Sequence, residues 1–177
     1  MSIPSPRSWV GGVTAFTAVV MNLDLRDSIN FLLGVGAGCK DYAKLRISTS
    51  PSIAANTIYA IPFDLEDWDS RNGHGSVSPT VYYPQEAGKY RITGQIGFAN
   101  NATGMRQVYV RQGVSLLALN TTMVQAVAAG YPTIIPFTVD VAFVVGDWFE
   151  LIAYHTASAP VALSGPNTFM VVEWIAA

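Results

Sequence analysis

Few residues of this chain could act chemically on another molecule. Its 177 residues hold two histidines, His74 and His155, and one cysteine, Cys39. His74 stands in Asn72-Gly73-His74-Gly75, a turn, and His155 ends a strand pattern. A thiol acts as a nucleophile when a base reaches it by a hydrogen bond. Cys39 lies in a glycine-rich hinge, and nothing in the sequence places a base beside it. No nucleophile, base and orienting group stand together, so the chain is expected not to be an enzyme. Gly34-Val35-Gly36-Ala37-Gly38 superficially suggests a phosphate-cradling turn. No strand precedes it, its helix lies before it, and Cys39-Lys40 lacks a following Ser or Thr. It reads as a hinge.

Asp64, Glu66, Asp67 and Asp69 form the one acidic cluster. Calcium takes several oxygens from an irregular loop, but no complete calcium-loop pattern is present. The cluster reads as a solvated acidic loop, with no metal and no cofactor. Aromatic residues beside polar loop residues suit recognition of a saccharide or a protein. Trp68, with Arg71 and His74, is the candidate receptor-binding loop. Tyr82 and Tyr83 point to opposite faces if extended, so one belongs to a core or interface. Trp148 and Trp174, inside strand patterns, read as core. Asn101-Ala102-Thr103 and Asn120-Thr121-Thr122 fit a glycosylation sequon, but the first residues lack a secretory pattern and the sequons are set aside.

The elements that must position these residues follow from composition. Charged residues make up 12% and hydrophobic residues 50%. Soluble domains carry about 25% charged residues, so part of this surface is expected to lie against other copies of the chain. A net charge of -2 argues against capture of nucleic acid or an anionic membrane. One cysteine excludes a disulfide framework. Residues 112–139 carry no charge but contain Asn120, Gln125, Gly130, Pro132 and Pro136. That is a poor membrane span and reads as strands and loops facing protein.

The first eight residues hold two prolines and read as an extended arm. Residues 17–33 read as a helix, with Thr17 as N-cap and Met21, Leu25, Ile29 and Leu32 on one face. After residue 40, strand-like runs alternate with turn residues: 45–48, 57–63, 81–83, 90–99, 106–111, 115–119, 133–141, 148–155 and 168–175. In the fourth run, Tyr90, Ile92, Gly94, Ile96 and Phe98 alternate with polar residues. The one contender for a second helix is 122–129. Many short strands with turn signals suggest an all-β sandwich or barrel.

Gly88-Lys89-Tyr90, followed by Ile92, Ile96 and Phe98 behind a proline-containing turn, resembles the signature of C1q/TNF-like domains. Upstream, Phe63-Asp64 with Asp67-Trp68-Asp69 is similar to that family's Phe and acidic loop. Downstream, Gly146-Asp147 and Asn167-Thr168-Phe169 are similar to its turn into a late strand and its closing segment. The resemblance covers residues 45–177. It implies an all-β jelly-roll sandwich of about ten strands that assembles as a homotrimer. The head domain is then 41–177, behind a 1–40 segment of arm, helix and hinge. The family's collagen stalk has no counterpart here.

Trp9 with Gly11-Gly12, Met21-Asn22 and Leu25-Arg26-Asp27 before Ile29 and Leu32 resembles a leader of tailed-bacteriophage structural proteins. It implies that Trp9, Met21, Leu25, Arg26, Asp27, Ile29 and Leu32 anchor the chain to other virion proteins of capsid or tail. The expectation is a virion protein on the particle exterior: a homotrimeric fibre or decoration head that binds a host-surface glycan or protein, or simply decorates. The alternative is a free, soluble C1q-like trimeric ligand or lectin.

Overall fold

Strand alternation sets the layers of the molecule. Along β6 (Gly88–Phe98), Tyr90, Ile92, Ile96 and Phe98 are fully buried, while Lys89 and Arg91 are exposed. A strand with one apolar row must lay that row against another sheet. The computed structural model describes residues 41–75, 77–113 and 117–176. The anticipated helix 17–33, the hinge, Cys39 and the anchoring residues Trp9, Met21, Leu25, Arg26, Asp27, Ile29 and Leu32 lie outside the described residues.

Two antiparallel five-stranded sheets form the sandwich. The first runs β4 (Leu65–Asp69), β1 (Tyr42–Arg46), β12 (Phe169–Ala176), β6 and β9 (Thr133–Phe143). The second runs β3 (Tyr59–Ala60), β10 (Phe149–His155), β7 (Met105–Gln112) and β8 (Leu117–Gln125), with β5 (Val81–Tyr82) also on β10. A small pair, β2 (Ser52–Ile53) and β11 (Val161–Ala162), lies beside them. The ten strands of the two sheets make the all-β jelly-roll sandwich expected from the sequence.

Leu45, Ile92, Phe98, Val108, Leu151 and Val172 pack between the sheets with no exposed surface. Each such side chain contributes about 1.5–3 kcal/mol relative to exposure. Four rings form a chain through the core. Tyr90 meets Phe143 edge-on at 5.6 Å, Phe143 stacks on Phe149 at 5.2 Å, and Phe149 meets Tyr82 at 5.3 Å. Gly94 is required where β6 meets β12, because a Cβ there would sit 2.2 Å from the Phe169 carbonyl oxygen.

β9 is the outermost strand of the first sheet, and β8 of the second. The loop 126–132 joins them, and they touch at one flank of the sandwich. Pro136 sits within β9 while the pairing to β6 continues on both sides. A proline lacks an N–H and therefore faces its nitrogen away from the ladder. The edge of β9 away from β6 thus lacks a donor at the fourth of its eleven residues.

Several local expectations change. The strand expected over 57–63 is only Tyr59–Ala60: Ile61 still donates its amide to the Leu151 carbonyl at 3.0 Å, but Pro62 has no N–H to continue and Phe63 turns its amide to the Pro79 carbonyl. The helix contender 122–129 is the end of β8 followed by loop; pairing with β7 overrides its alanine-rich helical preference. The acidic loop is β4, an edge strand whose charges meet cations from β1.

Candidate binding face

β1 alternates sharply. Ala43 and Leu45 are fully buried, so Tyr42, Lys44 and Arg46 point to the outer face. β4 lies beside it with a bulge: Lys44 pairs with Trp68 and Leu45 with Glu66, leaving Asp67 as the extra residue. A bulge sets two consecutive side chains on one face. Asp67 and Trp68 therefore both join the outer face, while Glu66, opposite core-facing Leu45, turns the other way.

The Trp68 and Tyr42 rings stack at 5.6 Å with 12° between their planes. Both stay open, at 43% and 39% exposure. The Lys44 ammonium lies 5.0 Å from the indole centroid and 2.9 Å from Asp67 Oδ2. Arg46 donates through Nε to Asp67 Oδ1 at 2.8 Å and through a second nitrogen to the same oxygen. Hydrogen bonds from Arg46, then from Lys44, hold the Asp67 carboxyl below its ordinary range.

The three residues expected to form a receptor loop are separated by this geometry. Trp68 belongs to the outer face. Arg71 forms an ion pair with Glu86, and its backbone amide donates to Asp69 at 3.2 Å. His74 is 7% exposed. Its Nδ1 lies 2.7 Å from Glu66 Oε1 and its Nε2 3.2 Å from the Pro79 carbonyl, so the ring fastens β4 to the following loop. His74, Glu66, Asp64, Phe63 and Pro79 line a hollow of about 340 Å³.

The acidic residues are engaged within the protein. Asp64 accepts from the Ser48 amide at 2.6 Å and from the Ser48 hydroxyl, which together hold its carboxyl low. Asp69 accepts the His74 amide at 2.8 Å. No group of three His, Cys, Asp or Glu side chains among the described residues is placed to hold a metal ion.

Two buried charged groups went unnoticed in the sequence. Asp41, fully buried, accepts from the Tyr82 hydroxyl at 2.5 Å and the Gln85 amide at 2.8 Å, with the Tyr90 hydroxyl at 2.9 Å. Burial, reinforced by Asp41, pushes both phenols above their ordinary range. Arg106, also fully buried, donates to the carbonyls of Asn101, Thr103 and Met105. Burial lowers its pKa from the usual guanidinium value. Its position shares the inward parity of Val108 and Val110, which was the available signal. Arg106 is paired across the sheet with His155, whose Nδ1 accepts the Ala157 amide at 3.2 Å and whose Nε2 lies 3.0 Å from the Ile53 carbonyl. A ring with one donor and one acceptor is satisfied as the neutral imidazole. These contacts make His155 a structural residue.

The architecture is that of the TNF and C1q globular jelly rolls. Murine APRIL superposes with a TM-score of 0.60 over 77% of this chain and 99% of its own, at 15% identity. Eiger TNF from S. frugiperda gives 0.54 over 77% of this chain and 93% of its own, at 13% identity. The globular domain of the zebrafish complement 1qA protein gives 0.52 over 75% of this chain and 95% of its own, at 7% identity. No family model matches the sequence. An uncharacterized protein of Acanthamoeba polyphaga mimivirus is 32% identical over 90 residues, which is 49% of this chain. The match spans 38% of that protein's length.

Proposed function

We propose that this chain is a non-enzymatic binding module that assembles as a homotrimer and stands on the exterior of a virion as a fibre or decoration head. The carrying observation is the β8–β9 flank. Met123, Val127, Tyr131 and Ile134 are 50%, 41%, 67% and 42% exposed there. They fall in the stretch 112–139 that carries no charge. Large apolar side chains on a flank without charge suit burial against another copy. The C1q/TNF-like resemblance supplies the copy number of three. A flank that meets a different surface of its neighbour makes a heterologous contact, and three such contacts close a ring.

The viral setting draws support from the leader resemblance in the first 33 residues and from the viral source of the mimivirus relative. In this reading Trp9, Met21, Leu25, Arg26, Asp27, Ile29 and Leu32 hold the chain to capsid or tail proteins of a tailed phage. The head displays Trp68 and its neighbours toward a host-surface glycan or protein. Three weak sites on one head, repeated over a particle, give high avidity.

Light scattering of the full chain tests the assembly. The expected native mass is about 57 kDa, three times the 19.0 kDa of one chain. Tyr131→Lys with Ile134→Lys is expected to yield a folded monomer. A wild-type monomer would reject the reading. Leu25→Asp with Leu32→Asp is expected to leave the trimer intact and abolish incorporation into particles, read by mass spectrometry of purified virions.

A further inference from the structure

The outer face of β1 and β4 has features that restrict its ligand. Trp68 is already braced flat by the Tyr42 ring, so a partner stacking on it orders little that is not ordered beforehand. The exposed indole is apolar and borders water, which suits the C–H face of a pyranose ring whose hydroxyls remain hydrated. Beside it stand two cations, with the Lys44 side chain 30% and Arg46 45% exposed. Both lean on the single carboxylate of Asp67. The carboxylates flanking Asp67 are directed elsewhere: Glu66 to His74, Asp64 to Ser48, and Asp69 to the amides of Arg71 and His74. Glu173, opposite Tyr42, lies near Arg91 on the β6 side.

We propose that this face binds a carboxylate-bearing saccharide, with the Trp68 ring against the sugar and Lys44 and Arg46 toward its carboxylate. The assignment rests on the reading of the chain as a binding module and names its ligand class. Arg46 spends Nε and one terminal nitrogen on Asp67, so its remaining N–H groups and the mobile Lys44 ammonium are what a ligand carboxylate meets. Tyr42 is a positioning residue that acts through Trp68. An acidic peptide would meet the same cations but would offer no ring to the indole.

The test is calorimetric titration of the full chain with sialyllactose and with a hyaluronan tetrasaccharide, using lactose as the neutral control and a tri-glutamate peptide as the rival. The expected result is a dissociation constant of about 1 mM for at least one acidic sugar, with lactose and the peptide at least about tenfold weaker. Trp68→Ala is expected to weaken the acidic sugar at least about tenfold, and Lys44→Gln with Arg46→Gln to bring it to the level of lactose. Both changes lie on the exposed face, and a cooperative melting transition with an unchanged native mass verifies the fold. Equal binding of lactose, tighter binding of the peptide, or no heat with either acidic sugar at about 20 mM overturns the proposal. A trimer that binds neither sugar rejects this ligand and leaves the module reading standing. A monomer rejects that reading itself.

Discussion

Tyr82 donates its hydroxyl to the Asp41 carboxylate at 2.5 Å, inside the core. This bond joins the entry of β1 to the strand that leads into the Tyr83–Gly88 turn. A buried carboxylate with no cation of the described residues in direct contact depends on such donors, because an unpaired charge in low dielectric is costly. Tyr82→Phe keeps the ring packing and removes one donor. The expected loss is about 2 kcal/mol, read from the urea midpoint at unchanged slope. In a cycle with Asp41→Asn, coupling below about 0.5 kcal/mol would show that the pair does not act together.

Arg106 serves the loop before β7 as a hub for three carbonyls. Arg106→Leu preserves much of the volume and removes the guanidinium donor from the Asn101 and Thr103 carbonyls, while the Met105 carbonyl keeps the Thr156 amide at 3.1 Å. A loss on the order of 3 kcal/mol is expected in chemical denaturation. Amides of residues 99–104 should lose hydrogen-exchange protection more than those of β6. Uniform loss across both segments would contradict the hub.

Acid should weaken the β1–β4 edge. Asp67 is held low by hydrogen bonds from Arg46 and Lys44, Asp64 by those from Ser48, and Asp140 by that from Arg91. A carboxyl with a lowered folded pKa stabilises the fold above its unfolded value, and that contribution is lost as pH falls through the folded value. The melting temperature is therefore expected to be flat near neutrality and to fall below about pH 4. Asp67→Asn should shrink the fall. The three carboxylates lie at the protein surface, so salt should reduce the effect. An undiminished fall in Asp67→Asn would assign it elsewhere.

Gly104 combines a φ of +72° with tight space: a Cβ there would meet the backbone of Thr156 at 2.5 Å. Gly104→Ala should cost more than about 1 kcal/mol, whereas Gly75→Ala, in open space without a positive φ, should be nearly neutral. Equal midpoints for the two variants in urea would refute the packing.

The strands with a two-residue rhythm were legible because one buried face leaves a period in the sequence. Tyr90 through Phe98 shows it, and the Gly146-Asp147 turn shows its glycine at a φ of +98°. β4 left no such trace. Leu65-Glu66-Asp67-Trp68-Asp69 has no apolar alternation, because an edge strand with a bulge needs only one partner and satisfies its charges outward. Two-residue strands such as β2 and β11 are set by tertiary contact alone. For the site, Trp68 was visible as an exposed aromatic in an acidic run. Its companions Tyr42, Lys44 and Arg46 were not, since they lie on a strand more than twenty residues upstream and become neighbours only through pairing. His74 attracted a binding role because histidine in a turn looks available, yet its two acceptors hold it inside.

The proline in β9 has a bearing on how far assembly can go. Strand-to-strand growth between molecules needs an uninterrupted row of donors and acceptors along an outer edge. Pro136 breaks that row at the fourth residue of an 11-residue strand. Under the assembly proposed above, copies meeting at this flank would recognise one another by side-chain shape, which sets a fixed rotation between neighbours. The same residue that spoils a ladder thus works against open-ended growth along this edge.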